Sequence, residues 1–425
     1  MKLHDFIISY DGDSGLMLFN PINDALVFMP DTTGPLDVQA LSEQNIKKLF
    51  DMLFLTDLED SSRLVAGIYK QIKYSERKIS LIIHTNYSCN LNCTYCYQEG
   101  SVSRNDVMTQ EIIDEFYPFF NKIKEHNSLE IVDLCFIGGE PLLHSNIVEE
   151  IFGIACKVFS GIQITKTLVT NGTRILSSIE CLKSINFDCI QITLDGTESV
   201  HNKYRVSHKK SDNYFGILSN LKQLEQLGNF NVEININLME NNAGGLEELL
   251  LDLKRNDIIY PIIFSIVFSG MNNSCNDLVI SMKKKADVWF NSHVLAAKYG
   301  YSFLPLYRQT RFSCGRFKEN SLCISPKGEI FKCISGMEAK QYYISSIKEF
   351  GTVKYYNRLA HLIEAPKICR KAQDFTCPYS LICDGGCSFI TDTNGWNCQK
   401  SFLHNGPIKF LYWQTVNNSK LLNYE

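Results

Sequence analysis

At 425 residues the chain is long enough for two or three domains. Its formal net charge of -4, with 21% of residues charged, gives a polyanion nothing to bind, so nucleic acid is not an expected partner. No uninterrupted apolar run approaches the length of a membrane span, and the opening residues lack the basic-then-apolar order of a secretory signal. The expected setting is therefore cytoplasmic and away from the membrane, where 16 cysteines point to metal binding rather than disulfides. Five of them, Cys135, Cys156, Cys181, Cys189 and Cys275, stand singly in apolar or helical contexts and read as small buried side chains.

Residues 1–76 read as a small α+β unit. Short strands are expected at 6–10, 16–19 and 25–29, with Pro21 and Asn23 in the turn between the last two, followed by helices near 42–55 and 58–74. A small sheet followed by helices resembles the winged-helix-like leader-recognition elements at the front of many peptide-modifying enzymes. Such a unit binds an extended peptide by adding a strand at its sheet edge, and a structural cap or an oligomerisation element would show the same pattern.

From residue 77 to about 300, strands expected at 79–84, 130–136, 162–169, 188–194, 231–238 and 259–267 alternate with helices near 107–125, 145–159, 174–185, 213–228 and 243–255. This alternation implies a parallel sheet with crossover helices, and six units suit a partial (β/α)6 barrel whose active site lies at the carboxyl ends of its strands.

The loop after the first of these strands holds Cys89, Cys93 and Cys96 in C-x3-C-x2-C spacing. Three thiolates can each hold one iron of a [4Fe-4S] cubane and leave the fourth iron open, whereas a structural zinc site needs a fourth ligand from elsewhere. A cysteine loop at the end of a first barrel strand, followed by the aromatic Tyr97, resembles the radical S-adenosylmethionine (SAM) enzymes. The resemblance implies that the open iron chelates the amino and carboxylate groups of SAM, and that an electron from the cluster releases a 5′-deoxyadenosyl radical. It also assigns a SAM pocket. Gly138, Gly139 and Glu140 at the end of the second strand would meet the methionine amino group, Asn171 would face the ligand from the third, and Thr193 would bond the ribose or carboxylate. Asp195 and Arg205 would shape the pocket, a fork-shaped cation being suited to a carboxylate.

Residues 301–425 hold eight cysteines. Cys314, Cys323 and Cys333, the last five positions after Gly328, precede the run Cys377, Cys383, Cys387 and the more distant Cys398. This resembles a SPASM domain, which carries two auxiliary [4Fe-4S] clusters. By that pattern one cluster takes Cys314, Cys323, Cys333 and Cys387, and the other takes Cys377, Cys383, Cys398 and a residue three positions before Cys377. That position is Asp374. Either Asp374 ligates as an oxygen donor, or Cys369 loops back to complete four thiolates. Separated cysteine pairs also suit zinc ribbons.

The fold class implied is α/β: a partial (β/α)6 TIM-like barrel, with a leader-recognition-like front domain and a cysteine-rich SPASM domain. The function implied is a maturase that abstracts a hydrogen from a ribosomally made precursor peptide bearing a leader and installs a thioether, C–C or C–O cross-link, with flavodoxin or ferredoxin as electron donor. Two other readings stand beside it. One is an anaerobic sulfatase maturase, weakened by Ile334 where that family places an aspartate base after the cysteine. The other is a non-catalytic zinc module. No protein acid or base is identifiable in the sequence.

Overall fold

The computed structural model describes residues 1–417 apart from 76, 101, 104, 127, 209–212, 229, 270–274, 304–313, 366–368, 384, 388 and 391–397. At the amino end lie β1 (Lys2–Leu3), β2 (Ile8–Gly12), β3 (Gly15–Phe19), β4 (Leu26–Pro30), helix Glu43–Asp51, β5 (Leu55–Thr56) and helix Ser62–Lys73. β2, β3 and β4 form an antiparallel sheet in that order, and β1 pairs with β5. β3 is buried along its whole length. Leu16 and Leu18 pack with Leu49 and Val65 of the two helices, while Met17 and Phe19 pack with Leu403 and Ile408 near the carboxyl end. The first helix ends at Asp51 rather than 55, because Leu53 takes φ +60° and turns the chain so that Leu55 and Thr56 pair with β1.

The main sheet follows. Its six-unit part comprises β6 (Lys78–His84), β8 (Ile131–Ile137), β9 (Gln163–Thr170), β10 (Cys189–Thr193), β12 (Val232–Leu238) and β13 (Ile262–Ile266), all parallel and in that spatial order. Between them in the chain fall two short strands, β7 (Leu91–Cys93) and β11 (Arg205–Ser207), which pair with each other. Ile79, Leu81, Ile83, Val132, Leu134, Phe136, Ile190, Ile192, Ile234 and Ile236 are almost wholly buried in one core. Each such side chain contributes about 1.5–3 kcal/mol by leaving water.

Two expected elements are altered. The helix expected at 107–125 starts only at Gln110, because Val107 bridges Asn86 of the cysteine loop, and it is divided into Gln110–Asp114 and Phe116–His126. The strand expected from 259 starts at Ile262, just after Pro261, which lacks the N–H a ladder needs.

The carboxyl-terminal segment continues this sheet. β14 (Ser321–Ile324) lies parallel to β6, with Cys323 beside Ile82, and β15 (Glu329–Phe331) and β16 (Tyr343–Ser346) extend it antiparallel. The last helix, Lys409–Asn417, returns to the amino-terminal sheet, where the Tyr412 hydroxyl accepts from Ser14 N at 2.7 Å. Among the described residues no helix is long and apolar enough to cross a membrane.

Candidate active site

The three cysteines lie on the loop leaving β6, and short-range pairing holds the loop in place. β7 pairs antiparallel with β11, setting Cys93 opposite Arg205 and Leu91 opposite Ser207. Thr94 N donates to Tyr204 O at 2.9 Å and Cys96 N to Cys93 O at 3.1 Å. Cys89 Sγ accepts from Leu91 N at 3.4 Å and from Asn171 Nδ2 at 3.7 Å, contacts that favour a thiolate. Burial raises the Cys89 thiol and pushes Cys93 up to about 12; the Arg205 cation pulls both down, and the Cys96 thiol raises both. Metal binding at these thiols must therefore release protons.

The glycine pair after β8 stands against the cysteine loop. It admits the cysteine loop's own backbone. Gly139 N donates to Asn86 O at 3.0 Å and Glu140 N to Ser88 O at 2.8 Å. A Cβ at Gly138 would stand 2.5 Å from Asn86 O, and one at Gly139 would overlap the carbonyl oxygens of Tyr87 and Ser88.

Glu140 is fully buried behind this wall, and its carboxylate is occupied by the protein. It accepts from Leu142 N at 3.0 Å, Thr170 Oγ1 at 2.7 Å and Asn171 N at 2.7 Å. As placed, it fixes the turn after β9. In that turn Asn171 Oδ1 accepts from Thr173 N at 3.0 Å, while Asn171 Nδ2 donates to Asn90 Oδ1 at 2.9 Å. Gly172, at φ +79°, supplies the left-handed residue the turn requires.

Asp195 is likewise fully buried and lies outside the cavity wall. Its Oδ1 accepts from Asn237 N at 3.1 Å and Asn237 Nδ2 at 3.0 Å, and its Oδ2 accepts from the Tyr95 hydroxyl. Arg205 donates to the Tyr95 oxygen at 2.7 Å and reaches Asp195 at 3.5 Å. Burial opposes the guanidinium charge, but Cys93, Tyr95 and Asp195 outweigh it and hold Arg205 well above its ordinary value. Among the described residues its buried Nε has no hydrogen-bond partner. The Asp195–Arg205 pair and Tyr95 form one network under the cysteine loop.

A cavity of about 340 Å³ opens at the carboxyl ends of the strands. Of the sequence-assigned residues, Cys89, Cys93, Cys96, Tyr97, Gly138, Gly139, Asn171, Thr193 and Arg205 line it. Sequence reasoning missed the polar row on its floor, made by Gln191, Asn235, Asn237 and Ser265. The Ser265 hydroxyl donates to Asn235 Oδ1 at 2.6 Å, and Asn235 Nδ2 to Asn237 Oδ1 at 3.2 Å. The signal was present in Val232-Glu-Ile-Asn-Ile-Asn-Leu238, since a parallel strand covered on both faces should be apolar throughout and this one alternates. Tyr95 was missed as well, although it stands between two flagged cysteines.

Several carboxyl-terminal cysteines lie near enough to raise one another's thiols. The Cys323 thiol is raised by burial and by the nearby Cys333 and Cys314, while Cys333, raised to about 12 by burial, feels Cys314 and Cys387. Cys383, raised to about 11 by burial, feels Cys398, Cys377 and Cys369. Gly385 and Gly386, ahead of Cys387, stand at φ +82° and +97°, the left-handed region that glycine favours. Asp374 is exposed and pairs with Arg370 at 3.7 Å. Among the described residues no three Cys, His, Asp or Glu side chains close on a single metal ion.

The Radical SAM superfamily profile matches residues 83–253. Over 192 residues the chain is 29% identical to the Methanococcus aeolicus protein named Probable GTP 3',8-cyclase, covering 43% of this chain and 58% of that one. Over 170 residues it is 28% identical to the Cysteine-type anaerobic sulfatase-maturating enzyme of Clostridium novyi, covering 38% and 43%. The chain thus spans about half the length of these curated relatives. Its fold is similar to that of native anSMEcpe with bound AdoMet, with a TM-score of 0.63 and 18% identity over 81% of this chain and 100% of that one. It is also similar to Streptococcus suis SuiB bound to precursor peptide SuiA, with a TM-score of 0.55 and 14% identity over 91% and 95%. Three cysteines on the loop after the first strand of a six-unit parallel sheet, at the mouth of a polar cavity, are joined to that match, and the chain carries a radical SAM domain over residues 83–253.

Proposed function

We propose that this chain is a radical SAM maturase that abstracts a hydrogen atom from a ribosomally made peptide and installs a cross-link in it. The observation that carries the first half is the cysteine loop pinned by β7 and β11 beside the cavity, with Arg205 charged at its wall. Cys89, Cys93 and Cys96 would hold a [4Fe-4S] cluster, and their buried thiols, N–H···S contacts and adjacent cation suit one. With SAM bound there, the group supplies a 5′-deoxyadenosyl radical. Arg205 would meet the carboxylate of SAM, and Thr193, Asn171 and the Gly138–Gly139 backbone would supply further polar contacts. Gln191, Asn235, Asn237 and Ser265 would hold the reacting segment by hydrogen bonds on the cavity floor.

The peptide half rests on two supports. The likeness to SuiB and anSMEcpe covers more than the barrel, and structures of both hold peptides. At the amino end, β4 is the outer strand of its sheet and pairs on one side with β3, an edge on which a leader could add a strand. Residues 1–76 would then be the leader-binding domain, 77–300 the radical core, and 301–425 a SPASM domain whose two cysteine sets hold auxiliary clusters. Flavodoxin or ferredoxin would supply electrons. The formylglycine reading loses ground because Ile334, not an aspartate, lines the cavity after Cys333.

The test is anaerobic incubation of the reduced, cluster-loaded chain with SAM and the short precursor encoded beside its gene. Expected are 5′-deoxyadenosine and a peptide lighter by two hydrogens with the leader attached. Deoxyadenosine without any peptide change would overturn the peptide assignment, and absence of deoxyadenosine would overturn the radical one. Leader binding should slow amide exchange over residues 26–29, and unchanged exchange there would remove the β4 edge from the scheme.

A further inference from the structure

Alternation along Val232–Leu238 sends Ile234 and Ile236 into the core and turns Glu233, Asn235 and Asn237 to the opposite face, where the two asparagines line the cavity. Strand register sets Gln191 beside Glu233 and Ser265 beside Asn237. Two buried carboxylates, Asp195 and Glu233, lie behind this floor without lining the cavity. An ionised carboxylate only accepts hydrogen bonds, so each dictates the orientation of the amide it meets.

Asp195 Oδ1 accepts from Asn237 Nδ2 at 3.0 Å, and Nδ2 also donates to the Tyr95 oxygen at 3.3 Å. Asn237 Oδ1 therefore points the other way, where it accepts from Asn235 Nδ2 at 3.2 Å. That fixes Asn235 in turn, and its Oδ1 accepts from the Ser265 hydroxyl at 2.6 Å. Every group in the row from Ser265 to Asp195 donates toward Asp195. Glu233 Oε1 orients Gln191 in the same manner, accepting from its Nε2 at 2.7 Å. Asn235 is buried, whereas Ser265 and Asn237 are half-buried in the cavity wall. With the Ser265 proton committed to Asn235 and the Asn237 Nδ2 hydrogens to Asp195 and Tyr95, the side-chain valences these two have left are lone pairs.

We propose that Ser265 and Asn237 form an acceptor pair that recognises the peptide segment in the cavity by a hydrogen-bond donor, an N–H or O–H, and that Asp195 is the positioning residue that gives the pair this polarity through Asn237 and Asn235. This rests on the peptide reading above. A carbonyl or carboxylate brought to the same place meets lone pairs, and a segment without the donor leaves buried acceptors unmatched, so the floor discriminates by hydrogen-bond polarity.

The test measures binding of the precursor, by fluorescence anisotropy, to the cluster-loaded full chain with SAM, left unreduced so that no radical forms. Backbone N–H groups of the peptide are removed one at a time by N-methylation, and side-chain donors by donor-free isosteres. In the unsubstituted chain one such change should weaken binding about tenfold. In Ser265→Ala the same change should cost less than about twofold, and Ser265→Thr, which keeps the hydroxyl, should restore the full cost. Asn235→Leu cuts the row and frees the Ser265 proton. It should abolish the preference although Ser265 remains, a result that lost packing alone does not give. SAM affinity should stay within about twofold in all three variants. If no peptide change is sensitive to Ser265, or if Ser265→Ala weakens SAM binding instead, the row does not read the peptide and the proposal is overturned. If the precursor does not bind the unsubstituted chain at all, the peptide reading fails, and the proposal with it.

Discussion

Tyr95 shows how much one hydroxyl can organise. Its oxygen receives Arg205 at 2.7 Å and Asn237 Nδ2 at 3.3 Å while its proton goes to Asp195. All four groups lie beneath the cysteine loop, where water does not compensate a missing partner. Tyr95→Phe should therefore lower stability by about 1–3 kcal/mol, the cost of leaving buried polar groups unmatched. Urea unfolding of the variant would show it, and an unchanged midpoint would mean that the network is not closed. Arg205→Leu should be worse, about 3–5 kcal/mol, because it strands the buried Asp195 charge. The sequence exposed Asp195 and Arg205 through their resemblance to a family segment. It left Tyr95 unremarked because nothing local reveals where a phenol will find its partners.

At the scale of elements, the contact between the loop after β8 and the cysteine loop is backbone against backbone. It depends on two residues without a Cβ. Gly139→Ala should displace Tyr87 and Ser88 and with them Cys89, so the loaded protein should hold about four fewer irons while far-UV circular dichroism stays the same. Gly153, within helix Ser145–Val158, meets nothing within 4 Å. Gly153→Ala should keep its iron and gain about 0.5–1 kcal/mol, since alanine loses less backbone entropy in a helix. Equal iron in both variants would show that the close approach does not position the loop. The strands of the main sheet were legible within a few residues, because β-branched runs such as Ile79-Ser-Leu-Ile-Ile83 recur between helical periods. The pairing of β7 with β11 was not, since three-residue strands over 100 positions apart carry no periodic signal.

Across the whole molecule, four histidines are buried among the described residues, and three of them are the most enclosed: His84 at the end of β6, His201 in helix Glu198–Tyr204, and His293 in helix Met282–Lys298. His293 stacks on Trp289 at 3.5 Å and packs against Phe410 of the last helix at 4.9 Å. Burial lowers each of the three to about 3. Above pH 6.5 they are neutral in both folded and unfolded chains and contribute no pH dependence. Below it the unfolded chain takes up protons that the folded chain refuses, so stability falls with pH until about 3. The slope approaches about 1.4 kcal/mol per pH unit for each histidine, or about 4 for the three. Urea midpoints at pH 7, 6 and 5 should drop progressively, and His293→Phe should remove about 1.4 kcal/mol per pH unit of the slope. A slope unchanged by that variant would show that His293 is not held neutral.

The sequence by itself determined what short-range chemistry can write: six strand-and-helix units, three cysteines in one loop after the first strand, and an eight-cysteine field at the end. Periodicity and spacing are properties of neighbouring residues, so they survive without the fold. Only the tertiary structure decided which distant groups meet. It occupied Glu140 with protein donors, built the cavity floor from alternate residues of β10, β12 and β13, and laid β14 beside β6 so that the carboxyl-terminal field continues the main sheet. The reason is geometric: the face a side chain presents depends on where its strand or helix is anchored, and that anchor is the packing of the whole chain.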